Sequence, residues 1–93
     1  MQNLISLRNW GSTLHGKDSA IVCRNMCIRR LDPDNVLVLN MAGIKDVTPG
    51  FAFECFGMLY LSANRRGARF KFENVKEPSM KKVLLSGVKA ALR

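Results

Sequence analysis

Residues 36–61 read VLVLNMAGIKDVTPGFAFECFGMLYL, and this stretch decides the fold. Val36 to Met41 is an apolar run of the length of a buried strand. A glycine-containing turn follows, and then the corner Thr48-Pro49-Gly50. Thr is a preferred N-cap and Pro suits the first helical position, so a helix opens at Thr48 or Pro49. Phe51 to Leu61 is almost wholly apolar and makes about three turns at 3.6 residues per turn. A strand entering a helix through such a corner sets the helix N-terminus beside the strand's C-terminal edge. Ligands and partners of open α/β sheets usually meet the protein there.

The rest of the chain falls into place around this unit. Upstream, Leu4 to Leu7 reads as a short first strand. A first helix, capped by Asp18 or Ser19, runs to about Leu31 with Ala20, Cys23, Cys27 and Leu31 as its inward stripe. Asp32-Pro33-Asp34-Asn35 then turns the chain. Val36 to Met41 shows no polar alternation before Asn40, the pattern of a central strand buried on both faces. Downstream, the second helix ends near Ala63-Asn64, and Arg65-Arg66-Gly67 closes it with Gly67 as a left-handed cap. Arg69 to Glu73 alternates: Phe70 and Phe72 point one way, Arg69, Lys71 and Glu73 the other, which marks an edge strand with one wet face. Glu77-Pro78-Ser79 starts a third helix, Ser79 being its cap, with Met80, Val83, Leu84, Gly87, Val88 and Ala91 as the apolar stripe. The order β-α-β-α-β-α predicts an α/β fold with a small, mainly parallel sheet and right-handed crossovers. If the sheet follows chain order, the first two helices share a face.

The chain has 93 residues, the size of one domain spanning 1–93. Its net charge of +8, from 15 Lys and Arg against seven Asp and Glu, calls for an anionic partner: nucleic acid, an acidic protein or an anionic membrane surface. No apolar run reaches the roughly 20 residues of a membrane span. The stretch Met1 to Trp10 lacks the pattern of a signal peptide. A cytoplasmic location without a membrane partner is therefore expected. Cys23 and Cys27 share one helix face, and Cys55 lies on another helix. An odd cysteine count on helix interiors fits a reducing compartment and buried free thiols. With only the distant His15 to help, Cys23 and Cys27 fall short of a zinc site, and neither metal nor cofactor is expected.

No paired chemistry stands out. Glu54 is alone, general acid-base catalysis usually needs a second positioned group, and no phosphate-cradling glycine loop is present, so no enzyme is expected. The second helix is apolar around most of its circumference. Ala52, Phe56, Leu59 and Ala63 cover a sheet, Phe53 and Tyr60 can meet a neighbouring helix, and Phe51, Met58 and Leu61 are left over. Surplus apolar residues mark an interface, with a homodimer or a docked protein as occupant. Arg65, Arg66, Arg69 and Lys71 cluster around one turn and, with Lys82, Lys89 and Arg93, suggest a basic surface. The alternative function is thus a basic nucleic-acid-associated protein using Arg65 to Lys71, although base recognition normally adds a reading helix or exposed stacking aromatics.

ISLRNWGSTL at 5–14 and VLNMAGIKDVTPGFAFECFG at 38–57 resemble the STAS-like domains, a bacterial family of small α/β domains, and more distantly the anti-sigma-factor antagonists. The family's strand, small turn and helix start are similar to Val38 to Met41, Ala42-Gly43-Ile44, and Thr48, Phe51, Ala52 and Glu54. Asn74 and a final amphipathic helix also fit. The resemblance implies a non-enzymatic regulatory module that docks onto a kinase-like ATPase or related anti-sigma-type regulator through the start of the second helix: Thr48, Gly50, Phe51, Glu54 and Met58. The family's phosphorylated Ser aligns with Gly50, which has no hydroxyl. Thr48 is the nearest alternative phosphoacceptor, against its simpler role as a helix cap.

Overall fold

Three short strands form a wholly parallel sheet: β1 (Leu4–Ser6), β3 (Leu37–Asn40) and β5 (Phe70–Glu73), in the order β1-β3-β5. This is a computed structural model, describing residues 3–92. Ile5 lies opposite Leu39, and Leu37 and Leu39 lie opposite Phe70 and Phe72. The apolar run is thus the middle strand, and the alternating FKFE segment is an edge. Two segments outside the sequence expectation, β2 (Thr13–Leu14) and β4 (Asp46–Val47), form a second parallel pair. A 3-10 turn, Leu7–Trp10, leads from β1 to β2.

The helices are α1 (Lys17–Arg29), α2 (residues 49–66) and α3 (Pro78–Ala91). The sheet order makes both crossovers step the same way, which places α1 and α2 on one face. Only that face contributes to the core. Ile5, Leu37 and Leu39 are buried there, whereas Val38 and Asn40 on the other face are half-exposed. This corrects the expectation that the central strand is buried on both faces. The reason is that α3 packs against α2 instead of crossing to the open side.

Helix ends follow local chemistry at α2 and depart from it elsewhere. The Thr48 hydroxyl oxygen accepts from the Phe51 N–H at 3.2 Å, Pro49 occupies the first turn, and Gly67 closes the helix at φ 65°. Helix α1 starts one or two residues ahead of its expected caps. Gly16, at φ 88°, turns the chain out of β2, and its carbonyl accepts from Ala20, while Asp18 sits in the first turn, where an acid suits the macrodipole. In α3, Glu77 is the N-cap residue without a side-chain bond. Pro78 supplies the preset φ of the first turn, so Ser79 lies inside the helix and is not the cap.

Helix α2 is wound in three parts: an α turn Pro49–Phe51, a π segment Ala52–Gly57, and an α segment Met58–Arg66. In an α-helix, residues five apart point about 140° away from each other. The wider π turn brings Phe51 and Phe56 together, their rings edge to face at 5.8 Å. Where α2 meets α3 the backbones touch. A Cβ on Gly87 would stand 2.6 Å from the Ala52 carbonyl carbon, and one on Gly57 would stand 2.6 Å from the Gly87 oxygen.

Candidate functional site

The start of α2 is held by the β2–β4 ribbon. The Thr48 N–H donates to Leu14 O at 2.9 Å, so the corner is pinned before the helix begins. Of the five residues expected to meet a partner here, Thr48, Glu54 and Met58 are half-buried and Gly50 is exposed. Phe51 is not available. Only 2% of it is exposed, because the π turn rotates it into the core beside Phe56. Phe53 takes the outward place at 36% exposure, which corrects its assignment to a helix-packing stripe. Met58 and Leu61 are half-buried, so the expected apolar surplus is smaller than the 3.6-residue count suggests.

The Glu54 carboxylate lies 3.6 Å from Arg24 of α1, both partly exposed. An exposed pair of this kind contributes about 0–1 kcal/mol and orients the two helices more than it stabilises them. The Thr48 hydroxyl is occupied as a cap. Thr48→Ala is therefore expected to cost about 1 kcal/mol of stability by urea melt. Thr48→Glu should cost less, since a carboxylate is favoured at a helix N-terminus. Equal losses for both variants would contradict a capping role.

The basic residues stand on several elements: the end of α2, β5 and α3. Lys71 faces the open side of the sheet and pairs with Glu73 at 3.2 Å. Arg66 reaches across to Ile28 O at 3.4 Å, at the end of α1. Arg65 is exposed near the end of α2, and Arg69 stands at the start of β5. Lys82 and Lys89 flank a shallow depression on α3 with Leu85, Ser86 and Ala90. Arg93 lies outside the described residues.

What the packing does create is a groove between the β5 edge and α3. It encloses about 420 Å³ and is lined by Tyr60, Phe70, Phe72, Leu85, Val88 and Arg69. It continues past Phe72 and Leu85 for about 350 Å³ along Val75, Leu84 and Lys81. Leu85 is 47% exposed, and Phe70 and Phe72, which face the helical side and pack against the core, are only partly buried. No acidic residue lines either stretch among the described residues. The groove exists because α3 leans onto α2 through Gly57 and Gly87, leaving the edge strand uncovered. Sequence reading finds the parts, an edge strand with two Phe and an amphipathic last helix, but not the gap between them.

A second grouping was half legible. Cys23 and Cys27 project from one face of α1, as their spacing requires, and the π segment brings Cys55 against them. The three sulfurs lie within 4.8 Å of one another and all three residues are fully buried. Cys27 is the thiol most easily ionised. Hydrogen bonds from Cys23 and then Cys55 hold its pKa down, and Arg30 helps, against the cost of burial. Cys23 is pushed up, first by its hydrogen bond to Cys27, and Cys55 by its bonds to Cys23 and Cys27 and by burial.

Among the described residues, no helix is long and apolar enough to cross a membrane. Comparisons with protein-family models, curated proteins and solved structures find no match for this chain.

Proposed function

We propose that this chain is a non-enzymatic regulatory module that receives an acidic, amphipathic segment of a partner protein. The observation that carries the reading is the open apolar groove between β5 and α3, lined by no acidic side chain among the described residues and carrying Arg69 and Lys81 in its lining. Its apolar floor would supply burial, and its basic residues would select sign. A net charge of +8 disfavours a second copy of the same chain as occupant, since two such surfaces repel. The STAS-like resemblance makes a kinase-like ATPase or related regulator the partner class. It also puts the contact at Thr48, Gly50, Phe51, Glu54 and Met58. The groove is the better-supported surface, because Phe51 is withdrawn from the helix start. Gly50 leaves that start without the usual phosphorylated hydroxyl, which favours constitutive binding.

The reading is tested with three probes followed by fluorescence anisotropy: a Leu/Glu amphipathic helical peptide, the same peptide with Lys for Glu, and a duplex DNA. The acidic peptide should bind at least tenfold more tightly than the basic one. Leu85→Glu should weaken it at least tenfold while leaving the melting temperature nearly unchanged, because Leu85 is 47% exposed. DNA binding stronger than that of the acidic peptide would favour the nucleic-acid alternative and overturn the proposal. A dimer by light scattering at micromolar concentration, lost in Leu85→Glu, would assign the groove to self-association instead.

A further inference from the structure

We propose that Cys23, Cys27 and Cys55 form a three-sulfur site for a trivalent thiophilic metalloid, taken up as arsenous acid. Two ligands come from one face of α1 and the third from the π turn of α2, so the site ties together two helices that already pack. Three thiolates on one pyramidal centre, at a bond length of about 2.3 Å and angles somewhat below tetrahedral, set their sulfurs roughly 3.5–3.8 Å apart. With all three sulfurs already within 4.8 Å, adjustments of about 1 Å in each separation close the site. Soft thiolates select soft ions over oxygen-seeking ones.

Ligand number and charge choose the ion. No fourth Cys, His, Asp or Glu joins the cluster among the described residues, whereas structural zinc takes four ligands. The three cysteines are 0% exposed, and residual charge in such a place is costly. Three thiolates carry three negative charges. A monovalent ion leaves two of them, a divalent ion leaves one, and a trivalent ion leaves none. Arsenous acid is itself uncharged, so it carries no charge through the apolar shell. The exchange balances without redox. Three As–O bonds break and three As–S bonds form, and each thiol proton leaves with one hydroxyl as water. Because the sulfurs are closed off, loading requires α1 to open locally from α2, and uptake should be slow at low temperature and faster on warming.

The test uses the whole reduced chain incubated with sodium arsenite, desalted and weighed by native mass spectrometry. The expected product is one arsenic per chain with three protons lost and no oxygen retained, together with a raised melting temperature. Cys23→Ala, Cys27→Ala and Cys55→Ala should each bind at least tenfold more weakly. An adduct that keeps a hydroxyl would mean two thiols only and would overturn the three-sulfur site. So would the absence of arsenic from the native chain, which leaves the thiols as small hydrophobic packing. A parallel incubation with zinc should leave no stable complex. One zinc per chain, resistant to displacement by arsenite, would overturn the choice of a trivalent ion. The native chain decides these outcomes alone, even if the alanine variants fold poorly.

Discussion

Phe56→Ala is expected to remove about 4 kcal/mol of stability, within the roughly 3–5 kcal/mol range for truncating a buried aromatic. Phe56 is fully buried and meets two aromatic partners edge to face: Phe51, just ahead of the π segment, at a centroid distance of 5.8 Å, and Phe72 on β5 at 5.0 Å. Each edge-to-face pair adds about 0.5–1.5 kcal/mol beyond area burial. The ring therefore joins the irregular part of α2 to the edge strand. For a domain of this size the loss corresponds to a fall of about 20 °C in melting temperature. Urea denaturation should show a lower midpoint at unchanged slope. A loss under about 1 kcal/mol would mean that Phe56 is not central to the core.

Gly87→Ala should destabilise the protein by about 2 kcal/mol, although Ala is favoured over Gly in a helix by about 1 kcal/mol. The new Cβ would stand 2.6 Å from the Ala52 carbonyl carbon and 2.8 Å from its oxygen. These are backbone atoms of a packed helix and cannot swing aside as a side-chain tip would. Overpacking typically costs about 1–3 kcal/mol and occasionally more, so the clash outweighs the propensity gain. Gly50→Ala is the matched control: its Cβ would meet nothing within 4 Å, and its effect should stay within about 0.5 kcal/mol. A Gly87→Ala protein as stable as the native chain would show that α2 and α3 do not approach at backbone distance. The same variant should also disturb the groove, because the Gly57–Gly87 contact sets where α3 lies relative to β5.

These two positions differ in how far the sequence reveals them. Phe56 was legible as core, because Ala52, Phe56, Leu59 and Ala63 recur at helical spacing. Gly87 was legible as part of the α3 stripe, but nothing local says that its missing side chain admits another backbone. A spacing of 3.6 residues per turn puts Phe51 outward and Phe53 in a packing stripe; the structure has the reverse, because α2 is wound wider from Ala52 to Gly57. The cap at Thr48 and the closure at Gly67 were legible, since both depend on a single residue's chemistry. The caps at Asp18, Ser19 and Ser79 were misplaced, because Gly16 and Pro78 settle the chain direction first.

By itself the sequence determined what local chemistry can encode. Three parallel strands alternate with three helices, Val36 to Met41 lies mainly in the middle strand and Arg69 to Glu73 includes the edge strand. Cys23 and Cys27 share a face, and the chain carries a net charge of +8. Periodicity of two or 3.6 residues, caps and turn residues carry that information, and each acts within a few positions along the chain. Only the tertiary structure decided what distant residues do to one another. It brought Cys55 to the other two thiols, turned Phe51 inward and opened the groove beside β5. The physical reason is close packing: where α2 and α3 meet at Gly57 and Gly87, the distance between elements is set by the smallest groups on each, and no pattern within one element records it.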